Sequence, residues 1–402
     1  MSQFWEALFS QTAGAIKPSP IREMLHLIRQ PGMISFAGGM PDPAIFPVEQ
    51  FNEASSILRS SGRDVLQYGT TEGYGPLKEF LATWTAPRMG RVLKAEELLI
   101  TSGSTQVVDL LNWALVDRGD VILVEEPSFM GSTLNMHNHG ARFETLDCDG
   151  EGMIVEALPA KIEALRARGE TIKYIYTITN FHNPLGCTLS LQRRRALLDV
   201  AYRYGVPILE DDPYGYVRFD GDHLPTLFSL DDRGMVLYAA SFSKILAPGT
   251  RIGWCAGPAE LIRKMTVFKQ GVDVCTSVVA QALVYEYCRL GHLDAFLPKI
   301  IAHYTKKRNA MEEAFRRHLP LDEVRWVTPQ GGFFYWLETP NIAATDLFDA
   351  SIEKKVAFVP GHTFYVGQGG IHNGRFCFTF ASSEEIDEGA SRLGQAMRER
   401  LS

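Results

Sequence analysis

Between residues 50 and about 285, short apolar runs alternate with stretches whose apolar positions recur every three to four residues. The runs at 97–101 (ELLIT), 121–125, 142–147, 174–179, 207–210, 235–240 and 252–256 are short and apolar and read as strands, that at 235–240 as a buried one. Stretches such as 106–116 and 191–204 lie between them and read as helices. This alternation predicts an α/β fold, in which crossover helices join parallel strands and ligands gather at the strands' carboxyl ends. After about residue 286 the pattern changes. A long helix over 297–318 is followed by a strand pair around 324–336, another helix, strands at 356–359 and 375–380, and a final helix over 383–401. These elements predict a smaller α+β unit. The first 45 residues read as an arm, with a short helix over 21–28 behind Pro18-Ser19-Pro20 and an extended piece over 32–41 that includes Gly38-Gly39. The expected organisation is an arm (1–45) that joins the small domain, a large domain (46–285) and a small domain (286–402).

Composition narrows the class. A chain of 402 residues exceeds the size at which one hydrophobic core stops growing. Its 46% hydrophobic and 22% charged fractions, with 35 glycines, suit a soluble α/β enzyme. A net charge of −7 without a long Lys/Arg cluster argues against nucleic-acid binding. The six cysteines (148, 187, 255, 275, 288 and 377) form no C-x-x-C pair, which points away from a zinc ribbon or disulfide framework and toward a reducing cytoplasm. No basic-then-apolar leader and no run of about 18 apolar residues is present, so no membrane contact is expected. His137 and His139 have no third ligand spaced to join them, and no metal is expected.

Candidate chemistry sits where the predicted strands end. Ser241-Phe242-Ser243-Lys244 follows the run at 235–240, with Arg251 seven residues beyond the lysine. A lysine leaving a strand into a partly dry pocket loses its proton more readily, as an amine must before it attacks an aldehyde, so Lys244 is a candidate anchor for pyridoxal phosphate. The alternative is a solvent-facing lysine. Ser104 and Thr105 follow Ser102-Gly103 at a helix start, a phosphate cradle or a plain cap. Phe129 stands at the mouth of the next strand, as a stacking ring or a core residue. Asn183 precedes Pro184, so its amide can face a ligand or simply form a turn. Asp211 ends the run at 207–210 and needs a cationic partner, for which a protonated pyridine nitrogen would serve, and Tyr214 could reach the ring's phenolic oxygen. A solvated acidic loop is the alternative, above all for Glu210 and Asp212. Arg251 could clamp a phosphate, while Arg375, heading the predicted last strand, could hold a carboxylate or make a structural ion pair.

Taken in order, these motifs resemble the class I and II aminotransferases of fold type I, within them the subgroup of 2-aminoadipate and kynurenine/aminoadipate aminotransferases. The likeness spans essentially the whole chain, through PSPIREM, ISFAGGMPDP, LQYGTTEGYGPL, TSGSTQ, EEPSFMG, NPLG, EDDPY, SFSKILAPGTRIGW, PQGGFFYW and VAFVPGHTFY. It implies a large domain with a mostly parallel seven-stranded sheet between helices plus a smaller α+β domain. It implies pyridoxal 5'-phosphate as cofactor, Lys244 as the covalent anchor and proton carrier, and Asp211 as partner of the pyridine nitrogen. Asn183 and Tyr214 would hold the ring oxygen, and Ser104, Thr105, Ser241, Ser243 and Arg251 the phosphate. Tyr68 would reach the phosphate of a second subunit in a homodimer. Gly39 would lie over the substrate, Arg375 would bind its α-carboxylate, and Arg22, on a movable helix, would face its side chain. The implied reaction is ping-pong transfer of an amino group from an amino acid (2-aminoadipate, glutamate, aromatic or aliphatic) to a 2-oxo acid such as 2-oxoglutarate. Phe129, His182 and Leu185 stand where relatives often carry Tyr, Gln and Thr, which leaves open another outcome at the α-carbon: decarboxylation, racemisation or oxidation. A non-catalytic effector-binding domain is a further alternative, against which the lack of a basic helix-turn-helix segment before residue 20 counts.

Overall fold

The computed structural model describes residues 2–10, 13–14 and 30–401. The helix expected over 21–28, and Arg22 with it, lies outside the described residues.

The strands are β1 (Ile34–Ser35), β2 (Leu98–Thr101), β3 (Val121–Glu126), β4 (Arg142–Asp149), β5 (Gly152–Met153), β6 (Ile172–Thr177) and β7 (Ile208–Asp211). They continue with β8 (Val236–Ser241), β9 (Gly253–Ala256), β10 (Phe334–Glu338), β11 (Val356–Ala357), β12 (Val359–Pro360) and β13 (Asn373–Cys377). The main sheet has the order β2-β9-β8-β7-β6-β3-β4-β5. From β8 through β4 every pairing is parallel, whereas β9 runs antiparallel to both β8 and β2. The seven expected strands are all present, and the two-residue β5 adds an eighth at the edge.

Burial on both faces explains why the central strands β3, β7 and β8 are apolar runs rather than alternating ones, whereas β4, near the sheet edge, is only partly buried. Ile122, Val124, Tyr176, Leu209 and Ala239 pack on one face with Val107, Leu111, Ile262 and Met265 of the helices Ser104–Leu115 and Ala259–Val272. Leu123, Ile175, Ile208, Val236 and Tyr238 pack on the other face in a larger core that also takes Leu77, Leu81, Leu197 and Phe315. Helix Leu191–Tyr204 shows how local sequence sets an element's ends. Ser190 accepts from the Arg193 amide at its start, and Gly205 stops it with φ +61°.

A second sheet, β10-β13-β12, is antiparallel, and a third pairs β1 with β11 in parallel. Three expectations here need correction. The strand expected over 356–359 splits at Phe358, so that β11 joins β1 and β12 joins β13. The pair expected around 324–336 becomes β10 alone plus a single bridge from Arg325 to Glu338. Arg375 is the middle residue of β13, opposite Trp336 and Val359, rather than its head. The long helix also begins earlier than expected, at His292, with Pro298 inside it.

Candidate active site

A cavity of about 300 Å³ opens at the carboxyl ends of the central strands. β8 ends at Ser241 in the cavity wall, and the turn that follows brings in Ser243 and Lys244. The Lys244 amine donates to the Gly39 carbonyl at 2.8 Å. Burial pulls its pKa down to about 8, with the cationic Arg375 and Arg251 acting in the same direction against Cys377.

Asp211, the last residue of β7, is buried in the same wall. Its Oδ2 accepts from the Tyr176 hydroxyl at 2.9 Å, while Oδ1 has no hydrogen-bond partner among the described residues. Burial pushes its pKa up to about 7, helped by the charges of Asp212 and Glu125 and opposed by the Tyr176 hydrogen bond and by His182. A buried carboxylate oxygen left unpaired beside a cavity is costly, and a cationic ring nitrogen would satisfy it.

Next to Ser243 lies the start of helix Ser104–Leu115, where Ser104 and Thr105 line the cavity together with Arg251. Arg251 reaches across this helix start, with Nη2 on the Ser102 carbonyl and Nη1 on Ser243 Oγ, both at 3.3 Å. Only glycine suits position 103. Its φ is +83°, and a Cβ there would meet Arg251 Nη2 at 2.3 Å. Ser241 Oγ donates to Ser243 Oγ at 2.8 Å, completing a wall of hydroxyls beside free helix N–H groups and a guanidinium.

Asn183 and Arg375 form a third wall. Arg375 Nη1 donates to Asn183 Oδ1 at 2.8 Å and Nη2 to the Ala37 carbonyl at 2.7 Å. The guanidinium lies over the Phe334 and Phe364 rings at 4.4 and 4.8 Å, and its Nε has no partner among the described residues. Burial lowers its pKa to about 10, so it stays charged at neutral pH. Tyr214 is buried beside Asn183, and burial pushes its phenol well up. Phe129 and Gly39 complete the lining from the expected set.

Twelve of the fourteen residues singled out from the sequence therefore meet in one cavity. Tyr68 is not among its lining residues and is 80% exposed. Arg22 lies outside the described residues. Sequence reading missed Ile178 and Pro213, which also line the cavity, and Tyr176, which orients Asp211. Tyr176 and Ile178 share the parity of one strand face, a signal that needed β6 to be placed beside β7 first. The solvated-loop alternative fails for Glu210 and Asp212, which are both buried. Glu210 accepts from the Leu227 and Phe228 amides, and Asp212 pairs with Arg88 at 2.5 Å. Among the described residues no cluster could hold a metal ion, and no helix is long and apolar enough to cross a membrane.

A buried lysine amine, a carboxylate with one oxygen unpartnered among the described residues, and hydroxyls beside a guanidinium at a helix start meet at the ends of parallel strands, and the comparisons give the class of enzyme to which this set belongs. Residues 33–393 match the family described as aminotransferase class I and II, and the chain belongs to it. It is 38% identical to aromatic-amino-acid aminotransferase 1 of Thermococcus litoralis, over 99% of this chain and 95% of that one. It is 39% identical to the 2-aminoadipate transaminase of Thermus thermophilus, over 98% of this chain and 97% of that one. The solved structure of Pyrococcus horikoshii kynurenine aminotransferase, in complex with PMP and kynurenine, superposes with a TM-score of 0.95 at 37% identity, covering 99% of this chain and 98% of that one. The protein is a pyridoxal-phosphate-dependent aminotransferase of fold type I, and amino-group transfer is favoured over the other outcomes left open by the sequence.

Proposed function

We propose that this cavity holds the cofactor with Lys244 as its covalent anchor, and that the enzyme accepts both dicarboxylic and apolar or aromatic amino acids. The observation that carries the reading is the pairing in one cavity of a lysine amine with a depressed pKa and a buried carboxylate oxygen lacking a partner. Asp211, whose Oδ1 has no partner among the described residues, would keep the ring nitrogen protonated. Phe129 would stack on the ring, and Asn183 and Tyr214 would hold its oxygen. Ser104, Thr105, Ser241, Ser243 and Arg251 hold the phosphate, with Tyr68 contributed by a second copy in a homodimer. Pyridoxal phosphate supplies an electron-withdrawing ring that accepts the charge released when the α-carbon loses its proton. The Lys244 amine takes that proton and later returns it, acting as base and then acid. Among the described residues two of the five N–H donors of Arg375 are engaged, so its fork retains donors for the substrate's α-carboxylate, and Gly39 would lie over the substrate.

The substrate range rests on relatives at 38–39% identity that are named for aromatic amino acids and for 2-aminoadipate. Arg22, which lies outside the described residues, is the proposed partner for the distal carboxylate of a dicarboxylic donor. The amino acceptor is a 2-oxo acid, with 2-oxoglutarate the first to test. Residues 1–45 act as an arm of the small domain (286–402) against a large domain (46–285), which the pairing of β1 with β11 supports. The enzyme works in the cytoplasm. Purified protein incubated with a panel of amino acids and 2-oxoglutarate, with products followed by mass spectrometry, tests the reading. Formation of glutamate from 2-oxoglutarate, together with the donor's own 2-oxo acid, is the expected result with both 2-aminoadipate and an aromatic donor, and transfer from one class alone overturns the dual specificity.

A further inference from the structure

We propose that Lys269 is a positioning residue that holds the phosphate-binding wall of the cavity in place through Gln106, without touching the cofactor. The inference rests on the reading of Ser104, Thr105 and Arg251 as a phosphate cradle.

Lys269 lies on helix Ala259–Val272 with its side chain fully buried. Its ammonium donates to Gln106 Oε1 at 3.0 Å, to both carboxylate oxygens of Asp273 at 2.7 Å and to Thr276 Oγ1 at 2.9 Å. Gln106 is the third residue of the helix that starts at Ser104. Its Oε1 also accepts from the Ser102 amide at 2.8 Å, and its Nε2 donates to Asp273 Oδ2 at 2.8 Å. Ser102 closes the path toward the cavity, since its carbonyl accepts from Arg251 Nη2 and its hydroxyl donates to Asp273 at 3.3 Å.

The connections run in one direction. Lys269 fixes the Gln106 carboxamide, Gln106 fixes the backbone of Ser102, and Ser102 holds one arm of Arg251 just before the hydroxyls of Ser104 and Thr105. A buried ammonium is an expensive way to fill core volume, and an apolar side chain would pack there without a partner. All of this ammonium's partners among the described residues lie on two segments, Gln106 beside the cavity wall and Asp273 with Thr276 beyond the helix end, which are more than 160 residues apart in sequence. The ion therefore ties those two segments together at the edge of the cradle, where Arg251 Nη2 packs so close over Gly103 that a Cβ there would meet it at 2.3 Å. If the wall shifts, the ligand's phosphate loses its aligned donors, whereas contacts to its ring are untouched.

That asymmetry gives a readout that a general loss of stability would not produce. Apoprotein is titrated with pyridoxal 5'-phosphate and, separately, with pyridoxal, which lacks the phosphate, following tryptophan fluorescence. Lys269→Met and Gln106→Met are each expected to weaken pyridoxal 5'-phosphate about tenfold, as for loss of one charge-assisted contact, and to change pyridoxal affinity by less than about twofold. Arg251→Ala serves as the control for the cradle itself. If Arg251→Ala leaves the preference for the phosphorylated ligand unchanged, the cradle reading falls and this inference with it. If Arg251→Ala lowers the preference but the other two variants leave it unchanged, or weaken both ligands equally, Lys269 is a structural ion and the inference alone is overturned. Should Lys269→Met fail to fold, Gln106→Met, which leaves the Lys269–Asp273 pair intact, decides the matter.

Discussion

The depressed pKa of Lys244 can be measured on the empty site, independently of catalysis. Burial and two nearby guanidinium groups lower it to about 8. At pH 7 a group of that pKa is ~9% free amine, whereas an ordinary lysine near 10.4 is roughly 0.04% free, a difference of about 200-fold in reactive fraction. Competitive acetylation of the apoprotein across pH 6–11, with peptides quantified by mass spectrometry, reports this fraction for every lysine in one experiment. The shape of each profile is compared rather than its height, so unequal access to reagent does not matter. Lys244 should reach half-maximal labelling near pH 8, while exposed lysines continue to rise past pH 10. Arg375→Gln removes one of the cations and should move the Lys244 midpoint upward, because a neighbouring positive charge disfavours the ammonium. A wild-type midpoint at or above pH 10, or a downward move in Arg375→Gln, would refute the argument that desolvation and those cations set the reactivity of this amine.

Borohydride reduction of the loaded enzyme followed by peptide mapping should tag Lys244, and Lys244→Ala should lose both the tag and turnover; a tag on another lysine moves the anchor. In the apoprotein, Asp211 keeps a proton up to about pH 7 that the unfolded chain releases near 3.9, so stability should fall as pH rises between them, by on the order of 4 kcal/mol from this group. Asp211→Asn should flatten that slope in urea unfolding of the apoprotein, and an unchanged slope refutes the assignment. Tyr68 is 80% exposed in the single chain, so a site that needs it should need two chains; sedimentation that finds a fully active monomer removes this claim. Arg22→Ala should cost a dicarboxylic donor roughly 1.5–3 kcal/mol, about ten- to a hundredfold in kcat/KM, and largely spare an apolar one. Equal loss for both would mean that Arg22 only holds the arm.

What the sequence made legible was local. Strands buried on both faces announce themselves as unbroken apolar runs, and the residues just beyond their carboxyl ends, such as Ser241 to Lys244, can be picked out before any pairing is known. The elements it misplaced are those defined by distant partners. β11 and β12 look like one strand until β1, more than 300 residues earlier, claims the first half. β5 has only two residues and exists because β4 offers it an edge. The same holds for side chains. Nothing near Asp212 in sequence indicates that Arg88 lies 124 residues back to pair with it, and nothing near His182 indicates the buried Glu125 at 3.1 Å.

The three consecutive acids at the end of β7 show how pairing decides chemistry among residues that the sequence cannot rank. Glu210, Asp211 and Asp212 are all buried, yet alternation along a strand sends neighbours to opposite faces of the sheet. Asp211 shares the face of Leu209 and Tyr176, and the Tyr176 hydroxyl meets it. Asp212 shares the face of Ile208 and Tyr238, and is met by the Tyr238 hydroxyl at 3.0 Å and by Asn180 at 2.8 Å. Glu210, of the same parity as Asp212, is satisfied by two backbone amides and Thr179. Among the described residues only the middle carboxylate of the three is left with an unpartnered oxygen, and it is the one lining the cavity. The parallel register that sets Asp211 beside Ala239 of β8 also fixes how far it stands from Lys244, which follows the end of that strand by three residues. A slip of one residue in β7 would turn Asp211 to the far face and bring Glu210 or Asp212 to the cavity without its partners. The sheet's register, rather than the identity of any one acid, therefore selects which carboxylate faces the lysine.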